Sequence, residues 1–152
     1  MNILIADDSL QKQELLKELI IDEYPNGVIF QTDSFNSTFK EIKSRLFDLI
    51  LLDMTMPTFE QNKRGSSEGK VRTLAGKDII SKMVYRNIIT PTILVTQFEV
   101  FGRHNHLISI KEMADELMIN YPEIVRGCIL FDFQSDIWKK EIKSCIEKIK
   151  ND

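Results

Sequence analysis

The sequence is poor in the residues that define several classes of protein. Its 152 residues include two cysteines, six glycines, four prolines and one tryptophan. Two isolated cysteines, Cys128 and Cys145, cannot build the disulfide framework of a small secreted domain. We expect both to be buried free thiols, in preference to a disulfide or a metal site.

Long apolar runs and an excess of one charge are also missing. No stretch approaches the length of a membrane-spanning helix, and residues 1–6 lack the basic region of a targeting signal. A net charge of -3 gives no reason to expect binding to nucleic acid or to a membrane surface. We therefore expect a cytoplasmic protein whose residues 1–152 form one domain with a sizeable core.

The most informative stretch is a short apolar run that ends in an acid. Residues 49–52 are Leu-Ile-Leu-Leu, and Asp53 and then Pro57 follow them. A run this short and this apolar is typical of a parallel strand buried on both faces. Open parallel sheets bind ligands just beyond the carboxyl ends of their strands, which places Asp53 at the mouth of a crevice.

The same design appears at the N-terminus and recurs along the chain. Residues 2–6 form an apolar run that ends in Asp7 and Asp8, and strands are also predicted at 28–30, 90–96 and 128–131. Helices alternate with these strands. Four helices are predicted at 9–22, 34–45, 77–86 and 109–120, the last of these with a capping box at Ser109. A fifth helix, capped by Ser135, is predicted at the end of the chain. This alternation predicts an α/β fold with a parallel sheet.

Two segments interrupt the alternation. Residues 58–76 form a long polar loop whose glycines and lysine resemble a phosphate-binding loop, but the spacing is one residue short and Val71 replaces the required Ser or Thr. The loop also carries four cationic residues, Lys63, Arg64, Lys70 and Arg72. We expect these side chains to be solvated, and an anionic partner is the less favoured alternative. Residues 98–126 are also unusual, and His104 and His106 lie there in a predicted loop. Surface histidines or a partner contact are favoured over metal ligands.

Asp7, Asp8 and Asp53 would repel one another unless a counter-charge held them together. An all-oxygen site of this size suits Mg²⁺, which leaves coordination positions free for phosphate oxygens. Asp7 and Asp8 would hold the metal, and Asp53 would attack a phosphoryl group to form an aspartyl phosphate. Thr96, at the end of its strand, would donate a hydroxyl hydrogen bond to that group. The alternative is that the three acids are only caps at strand ends.

These residues and their joint spacing resemble the receiver domain of two-component response regulators. The matching features are the Asp7-Asp8 pair, the motif Asp53-Met54-Thr55-Met56-Pro57, the strand that ends in Thr96, and the strand–helix alternation over nearly the whole chain. The resemblance implies a flavodoxin-like (CheY-like) doubly wound sheet of order 2-1-3-4-5 with helices on both faces. It also implies Mg²⁺ held by Asp7, Asp8, Asp53 and the backbone carbonyl of Thr55.

The resemblance further implies phosphotransfer to Asp53 from a histidine kinase or phosphotransfer protein. Thr96 would then move inward and repack the surface formed by the fourth strand, the following helix and the fifth strand. That surface would bind a downstream protein partner, and homodimerisation through it is left open. The protein would not be an enzyme beyond its own Mg²⁺-assisted phosphorylation.

One family feature is missing. Receivers carry a lysine followed by proline at the end of the fifth strand, where the ammonium pairs with the phosphoryl group. Here either Phe131 or Asp132 occupies that place, and no lysine lies in this strand. The usual arginine or glutamate spacing of the first helix gives no replacement, and Lys12 is assigned largely to the outer face of that helix. A loop cation such as Lys63 or Lys70 remains a candidate.

Three functions follow from this pattern. The first is a stand-alone receiver that switches a partner surface or serves as a phosphate relay or sink. The second is a pseudo-receiver that is never phosphorylated and acts through constitutive contacts. The third, a phosphatase with an aspartyl nucleophile, is disfavoured because Thr55 stands where such enzymes carry a second acid.

Overall fold

The computed structural model describes residues 1–59, 71–72, 75–97 and 104–152, with side-chain positions left out at 71–72 and 104–109. In the described part, five parallel strands form the main sheet. In chain order they are β1 (Asn2–Ala6), β2 (Val28–Thr32), β3 (Leu49–Leu52), β6 (Thr92–Thr96) and β7 (Val125–Leu130). Their order in the sheet is β2-β1-β3-β6-β7, which confirms the predicted 2-1-3-4-5 arrangement when these five strands are counted along the chain.

Within the same described residues, five helices connect and cover the strands. They are α1 (Leu10–Glu23), α2 (Phe35–Ser44), α3 (Ala75–Tyr85), α4 (His104–Asn120) and α5 (Ile137–Lys150). Ser9 accepts a hydrogen bond from the Lys12 backbone N–H, and Ser34 forms a reciprocal capping box with Ser37. Both serines therefore cap their helices, and each fixes where a helix starts after a strand.

Two hydrophobic cores lie on opposite faces of the sheet. Successive side chains of a strand point to opposite faces, so Ile3 and Ile5 belong to one core and Leu4 and Ala6 to the other. The first core includes apolar residues of α1 and α5, and the second includes those of α2, α3 and α4. This explains why the strands contain consecutive apolar residues, and it confirms helices on both faces.

The segment predicted as a loop over 58–76 contains regular structure near its C-terminal end. A short antiparallel pair joins β4 (Met56–Pro57) to β5 (Val71–Arg72), and α3 begins at Ala75, two residues before the predicted start. Backbone pairing in this ladder brings the chain back beside β4 before α3 begins. Residues 60–70 of the predicted loop lie outside the described residues.

Three further boundaries differ from the prediction. Helix α4 begins at His104, so the predicted helix start at Ser109 is wrong, and His104 and His106 lie in the first turn of the helix instead of in a loop. Strand β7 begins at Val125, three residues earlier than predicted. The N-cap position of the last helix is Asp136 instead of Ser135, and the Asp136 side chain makes no capping hydrogen bond. The Ser135 hydroxyl accepts from the Ile137 backbone N–H.

The two cysteines are free, as predicted, but both are only half-buried. Burial raises the pKa of the Cys128 thiol to about 11, since the interior disfavours its charged form. Its thiolate form is therefore scarce near neutral pH. None of the described helices combines the length and apolar character needed to cross a membrane.

Candidate phosphoacceptor site

Two neighbouring strands bring the three predicted acids together. Asp7 and Asp8 follow β1, Asp53 follows β3, and the last residues of these strands, Ala6 and Leu52, lie opposite each other. One carboxylate oxygen from each acid lies within 4.8 Å of the other two. Asp7 and Asp53 are buried, whereas Asp8 is exposed, so the cluster opens to solvent on the Asp8 side.

Backbone hydrogen bonds fix the strand ends that carry these acids. The Asp53 backbone N–H donates to the Ala6 carbonyl at 2.9 Å, and the Asp7 N–H donates to the Thr32 carbonyl at 3.0 Å. The buried Gln13 amide group donates to the carbonyls of Ile5, Asp7 and Thr32. The site therefore rests on rigid sheet backbone, which limits how far the carboxylates can move apart.

A lysine that sequence reasoning missed lies inside this cluster. Lys12 is only 1% exposed, and its ammonium Nζ lies 2.5 Å from Asp7 Oδ2 and 3.6 Å from Asp53 Oδ1. The same ammonium donates a hydrogen bond of 2.8 Å to the Val95 carbonyl on β6. The assignment of Lys12 to the outer face of α1 is therefore wrong.

The sequence did contain a signal for this lysine. Lys12 precedes Leu16 by four residues and Leu19 by seven, which is the spacing of one helix face, and both leucines are buried. A charged residue in line with a buried apolar stripe points inward, and it then needs a buried partner of opposite charge. Asp7 and Asp53 are those partners.

Burial dominates the electrostatics of the acids. The pKa of Asp53 is raised to about 7: burial is the largest cause, the Asp7 and Asp8 carboxylates raise the pKa further, and the Lys12 ammonium offsets part of the rise. The pKa values of Asp7 and Asp8 are also raised, chiefly by burial, with Asp7 adding to the rise at Asp8. Three carboxylates against one ammonium leave an excess of negative charge, which fits a hard divalent cation with oxygen ligands.

Thr96 lies at the same edge of the sheet, at the end of β6. The side chain is fully buried, and its hydroxyl has no hydrogen-bond partner among the residues the structure describes. A buried hydroxyl without a partner is rare and unfavourable in a native protein. Such a group fits a site whose polar ligand completes the set of hydrogen bonds.

The structure distinguishes the two candidates for the place of the missing lysine. Phe131 directly follows β7, is 1% exposed, and its backbone N–H donates to the Thr96 carbonyl at 2.9 Å. Its ring centre lies 5.6 Å from Lys12 Nζ. Asp132 is exposed, and its carboxylate accepts from the Gln134 backbone N–H. Phe131 is therefore the residue beside the site, and no carboxylate from β7 opposes it.

For the remaining candidate residues, the structure shows either one contact or no side-chain position. The Thr55 backbone N–H donates to Asp53 Oδ1 at 3.4 Å, so Thr55 adjoins the acceptor, while a ligand role for its carbonyl stays a prediction. Lys63, Arg64 and Lys70 lie outside the described residues, as do the side chains of Arg72, His104 and His106. Their proposed contacts therefore stay predictions.

A five-stranded parallel sheet of this order, with acids at the carboxyl ends of β1 and β3, defines the class of receiver domains. Among solved structures, a CheY-like receiver domain from Methanospirillum hungatei JF-1 superposes with a TM-score of 0.59 at 16% identity, covering 99% of this chain and 98% of that one. Response regulator TrrA from Thermotoga maritima, in complex with Mg(2+)-BeF, gives a TM-score of 0.57 at 19% identity, covering 95% and 97%. At these identities the likeness concerns the fold.

A curated relative is much more similar. Detocs response regulatory protein DtcB from Enterobacter cloacae (strain JD6301) is 53% identical over 143 residues, which cover 93% of this chain and 95% of that protein. No protein-family model matches the chain. On the similarity to DtcB and the fold, this chain belongs to the response-regulator family, as a receiver domain of two-component signalling.

Proposed function

We propose that this receiver accepts a phosphoryl group on Asp53, in a reaction that needs Mg²⁺, from a histidine kinase or a phosphotransfer protein. The observation that carries the proposal is the convergence of Asp7, Asp8 and Asp53, with ligand oxygens within 4.8 Å, around the buried Lys12 ammonium. TrrA, a neighbour in fold, is described in complex with Mg(2+)-BeF, which agrees with a metal at such a site.

Each residue has a defined part in this reaction. An Asp53 carboxylate oxygen attacks phosphorus, and the bond from phosphorus to the donor nitrogen breaks. The donor imidazole, which carries a proton on its other ring nitrogen, keeps the electron pair and leaves as the neutral ring. Asp53 must be ionised to attack, and Lys12 favours that form by lowering its pKa. Asp7 and Asp8 would hold Mg²⁺ together with Asp53 and the Thr55 carbonyl. When bound, the metal offsets negative charge on the phosphoryl oxygens.

The aspartyl phosphate would then act as a signal. The Thr96 hydroxyl, which has no partner among the described residues, would donate to a phosphoryl oxygen. Because Thr96 ends β6 beside β7, this contact would change the surface formed by β6, α4 and β7 and so change what it binds. We propose that the protein acts through a protein partner or as a phosphate relay or sink, in the cytoplasm, and catalyses no reaction beyond its own phosphorylation.

The first test is intact mass after incubation with Mg²⁺ and acetyl phosphate. Wild type should gain one phosphoryl group, and Asp53→Ala should gain none. Ser9→Ala is a useful control, because it changes a helix cap beside the site but no acid. Persistent labelling of Asp53→Ala would show that another residue is the acceptor.

One observation favours a second function. Lys12 already neutralises part of the acidic cluster, so the site could be stable without metal or phosphate, as in a pseudo-receiver that works through constitutive contacts. In that case wild type would remain unlabelled with acetyl phosphate and with a phosphorylated histidine donor. It would also bind its partner equally well with and without either donor.

A further inference from the structure

The position of Lys12 is unfavourable for a lysine on general grounds. It is the third residue of α1, where the helix dipole presents positive charge and disfavours a cation. It is also almost fully buried, and moving an ammonium out of water is unfavourable unless partners of opposite charge compensate. A lysine held there by two carboxylates and one carbonyl indicates a role for its charge in the site.

The Lys12 ammonium lies among Phe131, Asp53 and Val95. The fifth-strand position that carries a lysine in typical receivers is filled by Phe131, whose ring lies beside the Lys12 ammonium. The ammonium reaches the acceptor carboxylate of Asp53 from α1 and, at the same time, hydrogen-bonds Val95, the residue before Thr96. It therefore occupies the space between the acceptor and the end of β6.

We propose that Lys12 is the cation that contacts the phosphoryl group on Asp53, supplied from α1 in place of the fifth-strand lysine. The inference rests on the proposed function, since it concerns the same transfer. An ammonium next to the acceptor stabilises charge that accumulates on the phosphoryl oxygens as the new bond forms. Because Lys12 also holds the Val95 carbonyl, a change in its partners is transmitted directly to β6.

The competing interpretation is that Lys12 is only a counter-ion for the acids. The two interpretations predict opposite effects of removing the charge. A phosphoryl-contacting cation is needed for transfer, so its loss slows labelling even when Mg²⁺ binds normally. A counter-ion competes with Mg²⁺ for the same carboxylates, so its loss should tighten metal binding and leave labelling equal or faster.

The experiment compares four variants with wild type. Lys12→Met removes the charge at nearly constant length, and the double variant Lys12→Met with Phe131→Lys restores an ammonium from the fifth strand. Lys17→Met is the matched control on the same helix, and Asp53→Asn tests the acceptor itself. We measure the rate of labelling by acetyl phosphate from intact mass, Mg²⁺ affinity by calorimetry, and folding by circular dichroism.

We expect Lys12→Met to label at least about tenfold more slowly than wild type with Mg²⁺ affinity unchanged or tighter; a tenfold change corresponds to about 1.4 kcal/mol. The double variant should recover most of the rate, and Lys17→Met should match wild type. A folded Lys12→Met protein that labels as fast as wild type, or faster, overturns the inference.

The two proposals fail in different ways. If wild type is labelled no more than Asp53→Asn, the proposed function fails and the inference fails with it. If wild type is labelled and Lys12→Met is equally active, only the inference fails. Should Lys12→Met not fold, the double variant decides: labelling well above Asp53→Asn supports the inference, and a folded double variant at the Asp53→Asn level overturns it.

Discussion

At the scale of single residues, the Thr96 hydroxyl is the clearest sign of a site that binds something polar. It is fully buried and lacks a partner among the described residues. A buried hydroxyl without a hydrogen bond destabilises a fold by roughly 1–3 kcal/mol. A polar ligand can complete the hydrogen bonds of such a group, and here the group lies at the edge of the sheet that carries the acids.

Replacing Thr96 by Val tests this interpretation. Valine has nearly the same shape and no hydroxyl, so we expect the free energy of unfolding of the unphosphorylated protein to be unchanged or about 1 kcal/mol higher. Urea unfolding measures this quantity, and Thr96→Ser, which keeps the hydroxyl, is the control. A loss of more than about 1 kcal/mol in Thr96→Val alone would mean that the hydroxyl already has a partner.

The acids were predictable from sequence, but the lysine was not. Asp7, Asp8 and Asp53 stand at the ends of apolar runs, and neighbouring parallel strands must bring such ends together. Lys12 was missed because a lysine in a helix is ordinarily solvated. The only sequence evidence against that assumption was the alignment of Lys12 with Leu16 and Leu19 on one helix face. One charged residue on an apolar face is weak evidence of burial, because its carboxylate partners become known only from the tertiary structure.

At the scale of elements, the start of α3 lies against the backbone that follows β3, next to the acceptor. The Gly76 backbone N–H donates to the Met54 carbonyl at 3.0 Å, so the helix starts in contact with the residue after Asp53. A Cβ at position 76 would lie 2.9 Å from Met54 Cα and 3.0 Å from the Asp53 carbonyl oxygen. Both atoms belong to backbone and cannot rotate away.

Gly76→Ala should therefore push α3 away from the acceptor. We expect a loss of about 1–3 kcal/mol in unfolding free energy, together with weaker Mg²⁺ binding, because Asp53 and Met54 would shift. Chemical denaturation and calorimetry measure the two effects. The control is Ser81→Ala on the exposed side of the same helix, expected within about 0.5 kcal/mol of wild type. Wild-type stability in Gly76→Ala would show that the contact relaxes freely.

Element types were predicted better than element ends. Every strand of the main sheet and every helix was expected, because apolar runs and helix periodicity mark their interiors. The start of α4 was placed five residues late because the Ser109 capping pattern lies inside the longer helix. The β4–β5 pair was missed because two residues per strand carry no periodicity, and their pairing is set by tertiary contacts.

At the scale of the whole molecule, metal binding and folding should be linked. The three acids lie together only in the folded chain, and their raised pKa values show that burial disfavours their charged forms. A divalent cation that binds only the folded state stabilises it by mass action. The family resemblance implied the sheet order, and the structure confirms it. This order brings Asp53 beside Asp7 and Asp8, although they are more than 40 residues apart in the chain.

We therefore expect Mg²⁺ to raise the unfolding temperature. At a concentration one hundred times its dissociation constant, the metal should add about 2.7 kcal/mol to the free energy of unfolding. Scanning calorimetry with and without Mg²⁺ measures this gain. Asp8→Asn is the matched variant, because Asp8 is exposed and its loss should reduce the gain while leaving the metal-free protein nearly unchanged. An equal gain in Asp8→Asn would remove Asp8 from the metal site.

Because Lys12 lies in the first turn of α1, the direction of its side chain depends on its angular position around the helix axis. Successive residues of an α-helix are about 100° apart around its axis. One residue inserted between Ser9 and Lys12 would rotate the ammonium out of the cluster, although every charged residue would still be present. A lysine on a strand end depends instead on sheet register. Asp7, Asp8 and Lys12 all fall within six consecutive residues, so a single local length change in this turn could separate the cation from the acids while the rest of the fold remained intact.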